Sequence, residues 1–360
     1  MKYVRTIVCA ASVVLSGMSV QMFADENLQA DEDLPAEDTV TNRHDKSFYI
    51  PEVHGVARAR YEIDVDNGEG RFQVRNARVN LSGHIMPRLR YYLNTDFCDK
   101  GSVKVLDVWA RVDIGRRWFV QAGQFRIPFG TDNFRGPGTY LFANRSYLGK
   151  YVNNVRAVGI KGHYTLPWGK GNYIEAGMFN SATISDHDVW SKDYAYAVKV
   201  SQQATPWLRF ETGFESIEPS HVRMNLWGAS AIVSFGEFHA EAEYMRTVYT
   251  NDMHPSSNVY NIFADWGLPV KVGIFDRWSI QGRLDAISSH SDGKEINEQG
   301  FLTTTMTSQQ RMTLGSALSY TFGKVHALVR LNYEKVFGGD DFDSDDIHGN
   351  RFVAELVVQF

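Results

Sequence analysis

Residues 351–360 read RFVAELVVQF, and the order of their side chains decides the fold. Phe352, Ala354, Leu356, Val358 and Phe360 fall on one face, while Arg351, Glu355 and Gln359 fall on the other with Val353 and Val357. A period of two is the period of a strand, whose successive side chains point to opposite faces. The segment is therefore a half-buried β-strand. The same alternation recurs upstream: Ala57, Ala59, Tyr61 and Ile63 alternate with Arg58, Arg60, Glu62 and Asp64. It returns where Ala77, Val79 and Leu81 alternate with Arg78, Asn80 and Ser82, and again where Val108, Ala110 and Val112 alternate with Asp107, Trp109, Arg111 and Asp113. No helical period stands out after residue 24.

About sixteen such segments cover the chain, at 52–65, 71–85, 88–98, 103–114, 117–128, 154–165, 172–180, 193–203, 207–217, 224–235, 237–249, 258–267, 274–288, 310–322, 324–336 and 350–360. Each is near or above the length that a tilted membrane-crossing strand needs, roughly 9–11 residues. Connections alternate. Short ones sit at Met86-Pro87, Gly115-Arg116, Ala204-Thr205-Pro206, Gly236 and Gly323, and the long ones, 129–153, 181–192, 289–309 and 337–349, fall at the other ends. Short turns on one rim and long loops on the other are the layout of an outer-membrane barrel. A soluble sandwich or propeller would also show alternating strands. No blade-length repeat is visible, however, and aromatics such as Trp168, Trp207, Trp227, Trp266 and Trp278 crowd the strand ends, as interfacial girdles do. The expected fold is all-β: a transmembrane antiparallel β-barrel over residues 49–360.

The other end of the 360-residue chain reads as an export signal at 1–24, with Lys2 and Arg5 before the apolar run Ile7 to Val20. Residues 25–48 follow as an acidic periplasmic segment; 25–38 hold seven acids and no base, a composition that cannot build a core. The net charge of −5 and the lack of a basic excess argue against nucleic-acid binding. With two cysteines in all, and only Cys98 beyond residue 24, no disulfide framework is available.

Two further stretches, GQFRIPFG at 123–130 and ANRSYL at 143–148, together with the terminal strand ending in Phe360, resemble the phosphate-selective porin O and P family. The matching positions are Gly123, Gln124, Phe125, Arg126, Pro128, Phe129, Gly130, Arg145 and Ser146; Asn144 stands where that pattern carries an acid. The resemblance implies a sixteen-stranded, trimeric barrel in the outer membrane of a Gram-negative bacterium, with an inward-folded third extracellular loop. Pro128 lacks an N–H and cannot continue a central ladder, so it ends its strand and aims residues 129–153 away from the wall.

Residues on the polar face of each strand should line the lumen. Arg58, Arg60, Arg78, Arg90, Arg111 and Arg126 are the candidate pore-lining, anion-binding groups, and Arg135, Arg145 and Ser146 the candidate constriction on the long loop. Strand 117–128 has no cleanly apolar face, so the direction of Arg126 is open. Residues 58–145 carry 15 bases against 9 acids, whereas 146–360 carry 18 against 24, which places a basic arc opposite a more acidic one. Arginine forks pair well with oxyanions, and rings or arcs of such charge favour anions. The expected function is passive diffusion of small hydrophilic solutes, with a preference for anions such as phosphate, in contact with outer-membrane lipid and lipopolysaccharide. A general porin without anion preference, or a binding or adhesin barrel, are the alternatives. No GxSxG, HExxH, CxxC or phosphate-loop motif occurs, so no enzyme, cofactor or metal site is expected. The acidic stretch GGDDFDSDDIHG at 338–349 lacks the spacing of a calcium loop and reads as a solvated outer loop.

Overall fold

A computed structural model describes residues 50–360 apart from 100, 152–155, 170, 184–189, 191, 221 and 339–348. The signal at 1–24, the acidic segment at 25–48 and most of the acidic loop at 338–349 lie outside the described residues. Sixteen strands follow one another: β1 (Glu52–Asp64), β2 (Glu69–Met86), β3 (Leu89–Asp99), β4 (Ser102–Asp113), β5 (Trp118–Arg126), β6 (Arg156–Thr165), β7 (Tyr173–Asn180) and β8 (Tyr194–Thr205). The second half adds β9 (Leu208–Ile217), β10 (Met224–Phe235), β11 (Phe238–Tyr249), β12 (Ser257–Leu268), β13 (Arg277–Ile287), β14 (Gln309–Phe322), β15 (Val325–Phe337) and β16 (Arg351–Gln359). Each pairs antiparallel with its chain neighbours, and β1 pairs with β16, so the sheet is a closed barrel. The strand count and the antiparallel closure agree with the sequence reading.

Alternation places the side chains as expected. On β1, Arg58, Arg60 and Glu62 are buried, while the alternating Ala57 and Ala59 are exposed and Tyr61 is half-buried. On β13, Gln281, Arg283 and Asp285 are buried and Ile280 and Leu284 exposed. The barrel thus reverses the ordinary rule: charge is inside, and Val108, Ile160, Val198, Phe210, Ile262, Leu314, Leu331 and Leu356 face outward. That exposed apolar belt would be costly in water and is stabilised by hydrocarbon.

The short rim turns as its sequence dictates. Gly236 and Gly323 open two-residue hairpins with φ of 56° and 59°, a region that glycine enters without steric cost. Strand β5 explains why its facing was hard to read. Gly123 has φ 130°, and beyond it Gln124, Phe125 and Arg126 are buried one after another, so the alternation stops. Arg126 donates from Nη1 to the carbonyl of Asn133 at 3.1 Å, toward the long connection that follows.

Closure is completed at the chain's last residue. Gly55 donates its N–H to the Phe360 carbonyl at 2.8 Å, and Phe360 donates back to the Gly55 carbonyl at 3.1 Å. The Phe360 ring lies where a side chain at 55 would start, so only glycine fits beside it. Removing Phe360 deletes both bonds at the seam. At about 0.5–1.5 kcal/mol each, this should lower the heat-unfolding midpoint of the purified barrel on a gel-shift assay. An unchanged midpoint would show that the seam does not depend on the terminal residue.

Candidate functional site

The connection between β5 and β6 carries the densest set of polar contacts in the lumen. It begins at Ile127 and Pro128, passes through a short 3₁₀ turn at Asp132–Phe134, and ends in a single helical turn, α1 (Tyr147–Tyr151). Phe129 is fully buried. It packs against Gly213 and Gly228, which face each other across β9 and β10, so the wall is hollow where the ring sits. Gly130, with φ 76°, then turns the chain. Its carbonyl accepts from Lys199 Nζ on β8 at 2.8 Å.

Carboxylates of the wall receive the backbone that follows. Glu243 on β11 accepts the Thr131 N–H at 2.6 Å and the Asp132 N–H at 2.9 Å, one on each oxygen. Thr131 Oγ1 donates to Glu211 on β9 at 2.7 Å. Arg135 bridges Asp132, at 2.8 Å, and Glu241 on β11. Burial opposes the Arg135 charge, but Glu241 and Asp132 outweigh it and hold its pKa above the ordinary arginine value. Arg135 is therefore spoken for by two acids.

Farther along, arginines of the wall grip carbonyls. Arg330 on β15 donates to the Tyr140 carbonyl, and Arg58 on β1 to that of Ala143 at 2.6 Å. Arg283 on β13 donates to Asn144 O at 2.8 Å, and Arg311 on β14 to Arg145 O at 2.6 Å. Asn144 uses both ends of its amide, accepting from Arg60 Nη1 at 2.8 Å and donating to Glu334 Oε2 at 2.9 Å. An acid at 144, as in the family pattern, could take the first bond but would repel Glu334. Tyr147 donates its N–H to Asp285 at 2.8 Å and its hydroxyl to Gln309 at 3.2 Å. Burial, partly offset by Arg311, pushes the Tyr147 phenol up to about 12, so it stays a donor at neutral pH. Ser146 donates to Asp132 Oδ2 at 2.5 Å and accepts the Gly149 N–H at 2.9 Å. Its hydroxyl ties the two ends of the segment together.

The remaining sequence candidates also point inward, each beside a partner. Arg58 pairs with Glu355 at 2.7 Å, Arg60 with Glu62 at 2.9 Å and Arg78 with Asp96 at 2.9 Å. Arg90 and Arg111 share Asp113, at 3.2 and 2.8 Å. Arg145 differs. Its Nε and Nη2 are buried with no hydrogen-bond partner among the described residues, and its guanidinium lies 5.7 Å from the centre of the Tyr140 ring. It lines a small cleft with Arg135, Tyr140, Asn261, Phe263 and Arg283.

Cover is uneven around the wall. The inner carboxylates Glu211, Glu241, Glu243, Asp285 and Glu334 on β9 to β15 are buried, and each bonds to the 127–151 segment. Asn76, Arg78, Asn80, Ser82 and His84 on β2, Tyr92 on β3 and Trp109 on β4 are only half-buried, and Lys104 is exposed. These acids fall on the polar phase of their strands, but their grip on the loop is not legible in the sequence, because it joins residues 80 or more positions apart.

A closed sixteen-stranded barrel with a polar lumen and a long connection bonded to its inner wall is the architecture of a porin. Residues 55–206 match the family model described as phosphate-selective porin O and P, which bears out the resemblance read from the sequence. Among solved structures, the trimer form of OmpT, an outer membrane protein of Vibrio cholerae, superposes with a TM-score of 0.58 at 10% identity, covering 86% of this chain and 99% of that one. An anion-selective porin from Comamonas acidovorans gives 0.56 at 13% identity, with 86% and 98% covered. Salmonella typhi OmpF, in complex with daunomycin, gives 0.57 at 13% identity, with 86% and 97% covered. These likenesses establish the fold. No curated protein matches the chain. Family match and fold together support an outer-membrane porin channel in a Gram-negative bacterium.

Glu243→Gln tests the anchoring. An amide offers one carbonyl oxygen where two N–H groups need acceptors, and a lost charge-assisted bond costs about 1.5–3 kcal/mol. The variant should show larger or noisier single-channel conductance and faster proteolysis within 127–151. Wild-type conductance and resistance to cleavage would mean that Glu243 does not hold the segment.

Proposed function

We propose that this chain is a passive diffusion porin with a preference for small anions, phosphate among them, and that residues 127–151 are the inward-folded third loop that narrows it. The observation that carries the reading is the uneven cover of the lumen. The loop's N–H, hydroxyl and guanidinium groups occupy wall carboxylates on β9 to β15, and its carbonyls take donors from β1, β8 and β13 to β15, so both are withdrawn from the path on that side. The half-open wall at β2 to β4 carries Arg78, half-buried, and Lys104, exposed, with Arg90 and Arg111 buried beside Asp113 beneath them, and Arg145 adds a guanidinium with two unbonded nitrogens from the loop itself. A solute passing between them meets the positive charge of Arg78, Lys104 and Arg145. Field lines concentrate where low-dielectric walls confine the water, so a small surplus acts strongly.

The pairing of Arg78, Arg90 and Arg111 with Asp96 and Asp113 favours a second reading, a general porin with little charge preference. Three arrangements complete the proposal without bearing on selectivity: a homotrimer, in keeping with the trimer form of the Vibrio cholerae protein; lipid and lipopolysaccharide against the apolar belt; and export directed by residues 1–24.

Reversal potentials under a KCl gradient separate the readings. A unit charge about 4 Å from an ion is worth ~1 kcal/mol in water, and salt screens part of it. Arg145→Ala should therefore cut the chloride-to-potassium permeability ratio about two- to fivefold. Adding phosphate should reduce chloride current in the wild type more than in the variant. Equal reversal potentials for both channels, or a wild type without anion preference, would leave the general porin standing.

A further inference from the structure

The half-open wall holds something that a general anion filter does not need. Tyr92 and Trp109 are opposite each other on β3 and β4, with ring centres 5.3 Å apart and planes 23° from parallel. Both lie on the polar, inward phase of their strands, and both are half-buried. Trp109 packs in part against the buried apolar cluster, and the aromatic surface that remains toward the lumen is unfavourable unless something covers it.

The register defines the surroundings. Ser82, Tyr92, Trp109 and Gly123 are successive cross-strand partners and form one row across β2 to β5. Two residues along each strand, about 7 Å away, His84, Arg90, Arg111, Gln121 and Lys161 form a second row. On the other side, Asn80, Asn94 and Asp107 form a third. The second row carries three permanent cations: Arg90 and Arg111 share the single carboxylate of Asp113, and Lys161 pairs with Glu175. Asp107 on the far side is already bonded in two places to Arg156, at 2.8 and 3.0 Å. The wall therefore offers an offset-stacked aromatic pair with buried, Asp113-bonded guanidinium groups two residues along on one side and amides on the other.

We propose that Tyr92 and Trp109 form a stacking platform for solutes that combine a planar aromatic ring with a carboxylate, the ring lying on the pair and the carboxylate turned toward Arg90 and Arg111. The proposal deepens the anion-porin reading and rests on it for the direction of charge. Ring faces attract ring faces in offset geometry, and the guanidinium edge orients the acid. Acetate has the charge without the ring, so it satisfies half of the site, and glucose, with neither an aromatic ring nor a charge, satisfies none of it.

The experiment records chloride current through wild-type channels in planar bilayers while benzoate, acetate or glucose is added. Benzoate should halve the current at a concentration on the order of three- to tenfold below that of acetate, the advantage that one ring-on-ring contact allows. Tyr92→Leu and Trp109→Leu should each erase most of that difference, while Tyr92→Phe keeps it. Channels of wild-type conductance certify that a variant is folded. Equal inhibition by benzoate and acetate in the wild type would overturn the platform even if no variant assembled. So would a benzoate advantage that survives both leucine variants, or glucose acting as strongly as benzoate. Reversal potentials from the same membranes keep the two ideas apart: a cation-selective channel that still discriminates benzoate from acetate would sink the anion reading and leave the platform standing.

Discussion

Lipid supplies no hydrogen bonds, and the rest of the structure follows from that. Every N–H and carbonyl in the wall must find a partner within the protein, so a sheet can cross only if it has no edge. The β1–β16 ladder removes the edge, and the Gly55–Phe360 pair carries it to the last residue. Closure then fixes the side chains. With a strand period of two, half of them must face hydrocarbon and half the lumen. This is why Arg330 can be fully buried while Leu331 beside it is exposed.

A lumen lined by charges has its own constraint. A buried charge without a partner costs several kcal/mol, so each must be paired or left near water. The barrel resolves this with one segment of chain. Residues 127–151 bring N–H groups to Glu243 and Asp285 and carbonyls to Arg58, Arg283 and Arg311. One stretch of backbone answers both signs, because a peptide carries a donor and an acceptor. The result is directional: the segment covers the wall it bonds to, and the side left half-open, at β2 to β4, presents amides, hydroxyls, aromatic rings, Arg78 and Lys104.

Most of the framework was legible in the sequence. Period-two alternation located the strands to within a few residues and put Arg58, Arg60, Arg78, Arg90 and Arg111 on the lumen side. Gly236 and Gly323 marked hairpins through their backbone freedom alone. Where the reading stopped, a reason can be named. Gly123 interrupts the pleat, so no periodic argument could assign Gln124 or Arg126. The hollow for Phe129 needs Gly213 opposite Gly228, a fact of register between strands. The Tyr92–Trp109 pair sat on the polar phase of two strands in plain view, but alternation records which face a residue takes and not which neighbour it meets. Ser146, expected at the constriction because of the family pattern, turns out to bond Asp132 and Gly149 and so to hold the loop's shape.

On the proposed path, solutes pass along the β2 to β4 wall while the loop covers the β9 to β11 wall. Accessibility of introduced thiols tests it directly. In a Cys98→Ser background, cysteine would be placed at Asn80, half-buried on β2, or at Ser230, buried on β10 at 2.6 Å from Thr131. A charged thiol reagent added to open channels should reduce the current through the Asn80→Cys protein within seconds to minutes and leave the Ser230→Cys protein unchanged. Rapid block at position 230 with none at position 80 would place the water path on the other side of the loop and contradict the account.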